Sequence, residues 1–303
     1  MIIRQTNVGT LLWSAFPNRP PEQITQTVFD FDDKHLRRLA RLQPGERADA
    51  GDLYDYTQDL LYTEIETPWL AYLLPFCLAA WREDLHQATN EYGGVVEQLY
   101  PVLANRGVFA KHLTPEQTVA VSKFLQLTIL EEMDHQRGLS YEGAGSRPYG
   151  WIAALATYGI LLPDIEGLWR EWWALGTSGR AIAAVQYLSC LMYPENQNPV
   201  FAPWTPLGGG GPPVLWEYAG HLYSHRWLQP NIDFLKTLLN VRQAGDVLAR
   251  AVDGLEGQPE HAQAARVHSA FPNRMAIVEA RCAELPRLLA TIPEATTVRE
   301  WSV

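Results

Sequence analysis

Glu217, His221 and His225 lie four residues apart in the stretch EYAGHLYSH, so on a helix all three share one side. Two imidazoles one turn apart can hold zinc, and a carboxylate one turn before them supplies a third ligand. The hydrolytic His-Glu-x-x-His pattern places its general base directly after the first histidine, and here that residue is Leu222. The trio reads first as two polar histidines on a partly exposed helix, with a structural or adventitious metal site that has no built-in base as the alternative. A second candidate is EEMDHQ, where Glu132 and His135 have the i, i+3 spacing of a di-metal carboxylate bundle and Glu131 stands one turn from His135. That chemistry needs a second Glu-x-x-His on another helix, and the rest of the chain is read as lacking one. Gly208–Gly211 is followed by two prolines rather than by Lys-Ser/Thr, so it is not a phosphate loop. No Gly-x-Ser-x-Gly elbow is present. The chain is read as a protein that is not an enzyme, with no catalytic residue and no cofactor assigned.

The largest charge feature is acidic. Asp49, Asp52, Asp55 and Asp59 are spaced three, three and four apart and fall on one helical face, with Glu64 and Glu66 beyond. Asp30, Asp32 and Asp33 stand upstream. Such a stripe is usually a solvated face. Its functional reading is a docking surface for a cationic partner, because an opposing Lys/Arg surface relieves the repulsion among its carboxylates. Trp204, in a long irregular stretch of the second half, is the aromatic expected to be exposed and is a candidate partner-binding residue.

These residues need helices to place them. The clearest runs from Leu113 to His135: Thr114 reads as an N-cap, Pro115 as the first helical residue and Gln117 as the other half of a capping box. Its apolar positions fall on two stripes, which predicts a helix packed on two sides. Residues 67–81 form a buried apolar run in which Pro75 predicts a kink or break. Ser178–Met192 reads as a core helix, 231–252 as one helix and 260–288 as another. Strand signals are thin. The expected fold is mainly α, with two packed helical subdomains, residues 1–140 and 141–303, divided at the Gly/Ser/Pro-rich stretch 138–150. A long Pro/Gly-rich loop, 194–215, falls in the second. SAFPNR occurs at 14–19 and again at 269–274, without a sustained period around it, and reads as coincidence.

The 303 residues are 47% hydrophobic, enough for a sizeable core. A formal net charge of −10 disfavours broad binding to nucleic acid or to an anionic membrane and suits a basic protein partner. Cys77, Cys190 and Cys282 are scattered and form no Cys-x-x-Cys pair, which points to a reducing compartment. The first residues carry no signal-peptide pattern and no apolar run reaches bilayer length. A cytoplasmic protein is expected.

AFPNRPPEQI at 15–24, LAYLLPFCLAAW at 70–81 and LTPEQTVAVSKFL at 113–125 resemble, in order and spacing, a domain of uncharacterised bacterial proteins associated with polymorphic toxin loci. The resemblance covers about residues 9–135. It implies an immunity protein that neutralises a cognate basic toxin, such as a secreted nuclease. The alternative is a metal-binding enzyme using Glu217, His221 and His225.

Overall fold

A computed structural model describes residues 8–29, 32–87, 93–139, 147–193 and 227–290. These form thirteen helices and, among the described residues, no strand, so the fold is mainly α. No helix among them is long and apolar enough to cross a membrane. The chain divides into two compact units, residues 1–129 and 130–303. The division falls inside α7 (Pro115–Asp134), upstream of the Gly/Ser/Pro-rich stretch.

The first unit holds α1 (Val8–Ser14), α2 (Lys34–Leu39), α3 (Ala50–Tyr62), α4 (Thr67–Gln87), α5 (Gly93–Asn105), α6 (Val108–Lys111) and most of α7. Its core is α4, which buries Trp69, Tyr72, Phe76, Cys77 and Trp81. Pro75 does not break it: α4 runs for 21 residues with the proline inside. Burial on all sides supplies the packing that a lost backbone hydrogen bond would otherwise decide. Around α4, α5 packs on α3 as well as on α4, and α2 packs on α3. Gln26, buried ahead of α2, fastens the first connection to the α3–α4 turn. Its Nε2 donates to the Glu64 carbonyl at 2.8 Å and its Oε1 accepts from Glu66 N at 3.1 Å. The capping box of α7 is formed as expected: Gln117 N donates to Thr114 Oγ1 at 3.2 Å and Thr114 N to Gln117 Oε1 at 3.0 Å.

The second unit holds α8 (Arg147–Leu161), α9 (Glu166–Trp173), α10 (Ser178–Met192), α11 (Gln229–Leu238), α12 (Val241–Gly254) and α13 (His261–Ala290). Its centre is α10, buried along nearly its whole length and packed on α9, α12 and α13. Thr177 caps it by accepting from Arg180 N at 3.2 Å. An aromatic cluster lies beside it: Trp169 meets Trp172, Trp173 and Tyr187 at ring separations of 4.9, 5.1 and 5.3 Å, and Trp151 meets Trp172 at 5.4 Å. Most of these pairs are edge to face, the arrangement that ring quadrupoles favour.

The helix expected over 231–252 is two. Leu239 is extended, and Asn240 caps α12 by accepting from Gln243 N at 3.0 Å. An asparagine side chain that can satisfy a free N–H competes well with continued helix. The two SAFPNR copies differ in structure: the first ends α1 and leaves it, whereas the second lies within α13, Pro272 included.

Candidate functional site on α2 and α3

The short helix α2 carries His35 and Arg38 one turn apart, and both turn toward α3. There they meet two members of the acidic series. Arg38 Nε lies 2.9 Å from both carboxylate oxygens of Asp52, and Nη2 donates to Oδ1 as well. His35 Nε2 lies 2.7 Å from Asp59 Oδ2, and the other oxygen of Asp59 accepts from Phe29 N at 2.7 Å. His35 and Asp59 are both buried.

The single solvated stripe of four carboxylates is therefore corrected. Asp52 and Asp59 face inward because α2 sets Arg38 and His35 opposite them, so they are not open to a partner. Asp49 is exposed but occupied in part as the N-cap of α3, accepting from Asp52 N at 3.1 Å. Asp55 and Glu64 are exposed, while Glu66 is half-buried. Trp204, Glu217, His221 and His225 lie outside the described residues, as does Asp30.

Burial disfavours a charged imidazole at His35. The hydrogen bond and charge of Asp59, the charge of Asp55 and a hydrogen bond with the Asp32 backbone outweigh that cost and raise its pKa above the ordinary 6.5. With Nε2 committed to Asp59 and both side chains buried, the pair holds α2 on α3. Burial also pushes the Cys77 thiol up to about 12 and the Cys282 thiol up to about 11, which keeps both protonated and weakly nucleophilic.

Beside the pair is a hollow of about 300 Å³ lined by Phe29, Asp32, Lys34, Asp55 and Gln58 as well as by His35, Arg38 and Asp59. At its rim Phe29 is 48% exposed and packs at 4.8 Å against Tyr62, which is 63% exposed. Two large rings held together in solvent beside the exposed carboxylates of Asp55 and of Asp32, which pairs with Lys34 at 2.7 Å, have the make-up of a binding anchor.

The EEMDHQ stretch ends α7. Glu132 is fully buried, with Gln136 Nε2 donating to its Oε1 at 3.0 Å, while His135 is exposed. The expectation of no second Glu-x-x-His is wrong: Glu83 and His86 make that step near the end of α4. The signal was in the sequence, masked by its place at the tail of a long apolar run. Glu83 pairs with Arg47 at 3.0 Å.

No family model, no curated protein and no solved structure matches the chain.

Proposed function

We propose that the chain is a binding protein, an immunity protein that neutralises a basic toxin by covering part of its surface. The observation that carries the reading is the exposed Phe29–Tyr62 pair beside Asp32 and Asp55. Aromatic anchors set how long a complex lasts, and exposed charge set around them sets how fast it forms. A net charge of −10 favours association with a cationic surface. The toxin itself is inferred from the resemblance of residues 9–135 and from this charge.

A pull-down from native cell extract at low and moderate salt tests the reading. The expected result is one stoichiometric basic protein whose retention falls with salt. Phe29→Ala with Tyr62→Ala should weaken it by about 2 kcal/mol or more, roughly thirtyfold. Asp32→Lys with Asp55→Lys should mainly slow association. Retention by the aromatic double variant equal to that of the unmodified protein would remove this face from the interface, and no partner at either salt would remove the reading.

A second reading, a metal-binding protein, is favoured by the recurrence of Glu-x-x-His near the ends of α4 and α7. Di-metal carboxylate proteins reuse this step. Under it, tag-free protein purified without chelators carries stoichiometric iron, manganese or zinc. Protein that is metal-free and takes up none on addition sets it aside.

A further inference from the structure

The far end of α3 leads to a different hollow. Glu64 and Ile65 after α3, Arg106 after α5, and Lys111 and His112 at the end of α6 surround an open space of about 400 Å³. Two of these groups are cationic at any ordinary pH, one is an imidazole and one is a carboxylate. We propose that this hollow binds a small oxyanion, the phosphate or carboxylate group of a small molecule, through Arg106, Lys111 and His112.

The donors are held in place by the surrounding chain. Arg106 Nη2 donates to the Thr63 carbonyl, which fixes one edge of the guanidinium and leaves its other N–H groups for a ligand. Lys111 folds back over Gly107, the residue that turns the chain from α5 into α6 at φ +67°. A Cβ at Gly107 would stand 3.3 Å from Lys111 Cε, so the glycine permits both the left-handed turn and the path of the lysine stem. His112 Nδ1 lies 2.8 Å from Thr67 Oγ1, which orients the ring and leaves Nε2 as its other polar atom.

Charge gives the direction. The chain has 34 acidic side chains against 24 Lys and Arg, yet among the described residues neither Arg106 nor Lys111 forms an ion pair. The uncompensated field is felt by His112: burial first, then the charges of Lys111 and Arg106, lower its pKa below 6.5. An oxyanion seated among the three would satisfy all of them at once, with charge-assisted hydrogen bonds to the guanidinium and ammonium. Glu64 repels a second anionic group and can accept a hydrogen bond from a hydroxyl or ammonium. The class is therefore compact: one oxyanion, with a hydroxyl or amino group near it and a short apolar part for Ile65.

Histidine-labelled full-length protein, titrated by NMR with inorganic phosphate and separately with acetate at constant ionic strength, tests the proposal against chloride as reference. The expected result is a saturable shift of the His112 resonances and a rise in its pKa, since an anion that favours the imidazolium must be favoured by it in turn. Lys111→Met should weaken binding about tenfold or more, and Glu64→Gln should tighten it several-fold. Opposite changes in two variants of one hollow do not arise from a general loss of fold. Saturation by phosphate alone assigns a phosphate ligand, by acetate alone a carboxylate, and by both a general oxyanion site. Shifts no larger than those with chloride, or binding unchanged in both variants, would overturn it.

Discussion

Asp59→Ala is expected to destabilise the first unit by about 3–5 kcal/mol, the usual consequence of removing one member of a buried ion pair. The substitution leaves the His35 imidazolium buried without its carboxylate and leaves Phe29 N without its acceptor. The neutral alternative is open to His35, so part of the loss is recovered when the ring gives up its proton. This makes the effect depend on pH with a definite sign. His35 has a raised pKa in the folded protein, so the folded state holds its proton more tightly than the unfolded state does. The stabilisation is fully present below the ordinary histidine value of 6.5 and is lost as pH rises through the raised folded value. Denaturant unfolding of the unmodified protein should therefore show the first unit weakening across that window, and Asp59→Ala should flatten the dependence. Equal losses in Asp59→Ala at pH values below and above the window would mean that the ring is not charged in the folded state.

Gly179→Ala should be at least as damaging to the second unit. A Cβ at Gly179, in the first turn of α10, would stand 2.3 Å from the Asp134 carbonyl oxygen and 2.6 Å from that of Met133. Both obstacles are backbone, so no side chain can swing aside. The last turn of α7 would have to move, and with it the paired contact in which Arg180 Nε lies 2.8 Å from Asp134 Oδ1 and Nη2 lies 3.1 Å from Oδ2. Overpacking ordinarily costs about 1–3 kcal/mol, and against backbone that no side-chain movement can clear, about 3 kcal/mol or more is expected here. Gly176→Ala is the control: nothing lies within 4 Å of the added carbon, and a change within about 1 kcal/mol is expected. Thermal or denaturant unfolding of the two variants side by side checks this. Similar stabilities for both would show that α10 can withdraw from the contact without cost.

Local features were legible in the sequence and long-range pairing was not. The capping box at Thr114 and Gln117 needs only its own four residues, and α10 needs only its own apolar run; both form where the sequence places them. Asp52, Asp55 and Asp59 share a side of α3, with Asp49 ahead of it as the N-cap and Asp55 left exposed. Which way that face points was decided by His35 and Arg38, up to 24 positions upstream, whose pairing no spacing rule on α3 could reveal. Phe29 and Tyr62 were missed for the same reason: their contact joins a connection to a helix end. At Leu239 and Asn240 the periodicity ran on, and a single capping side chain overrode it. Gly179 looked like any small residue near a helix start until the neighbouring backbone gave it a reason.

The aromatic cluster beside α10 has an optical consequence. Trp151, Trp169, Trp172 and Tyr187 are fully buried and Trp173 nearly so, and the five touch one another mostly at steep angles. Each ring sits in a fixed chiral surrounding, so the group contributes to near-ultraviolet circular dichroism for as long as its packing is unique. Helical content is read in the far ultraviolet and survives when specific packing melts. In a protein whose described residues are helical throughout their regular structure, the far-ultraviolet signal is nearly blind to a loosened interior. The indoles are what makes a native second unit distinguishable from a merely helical one.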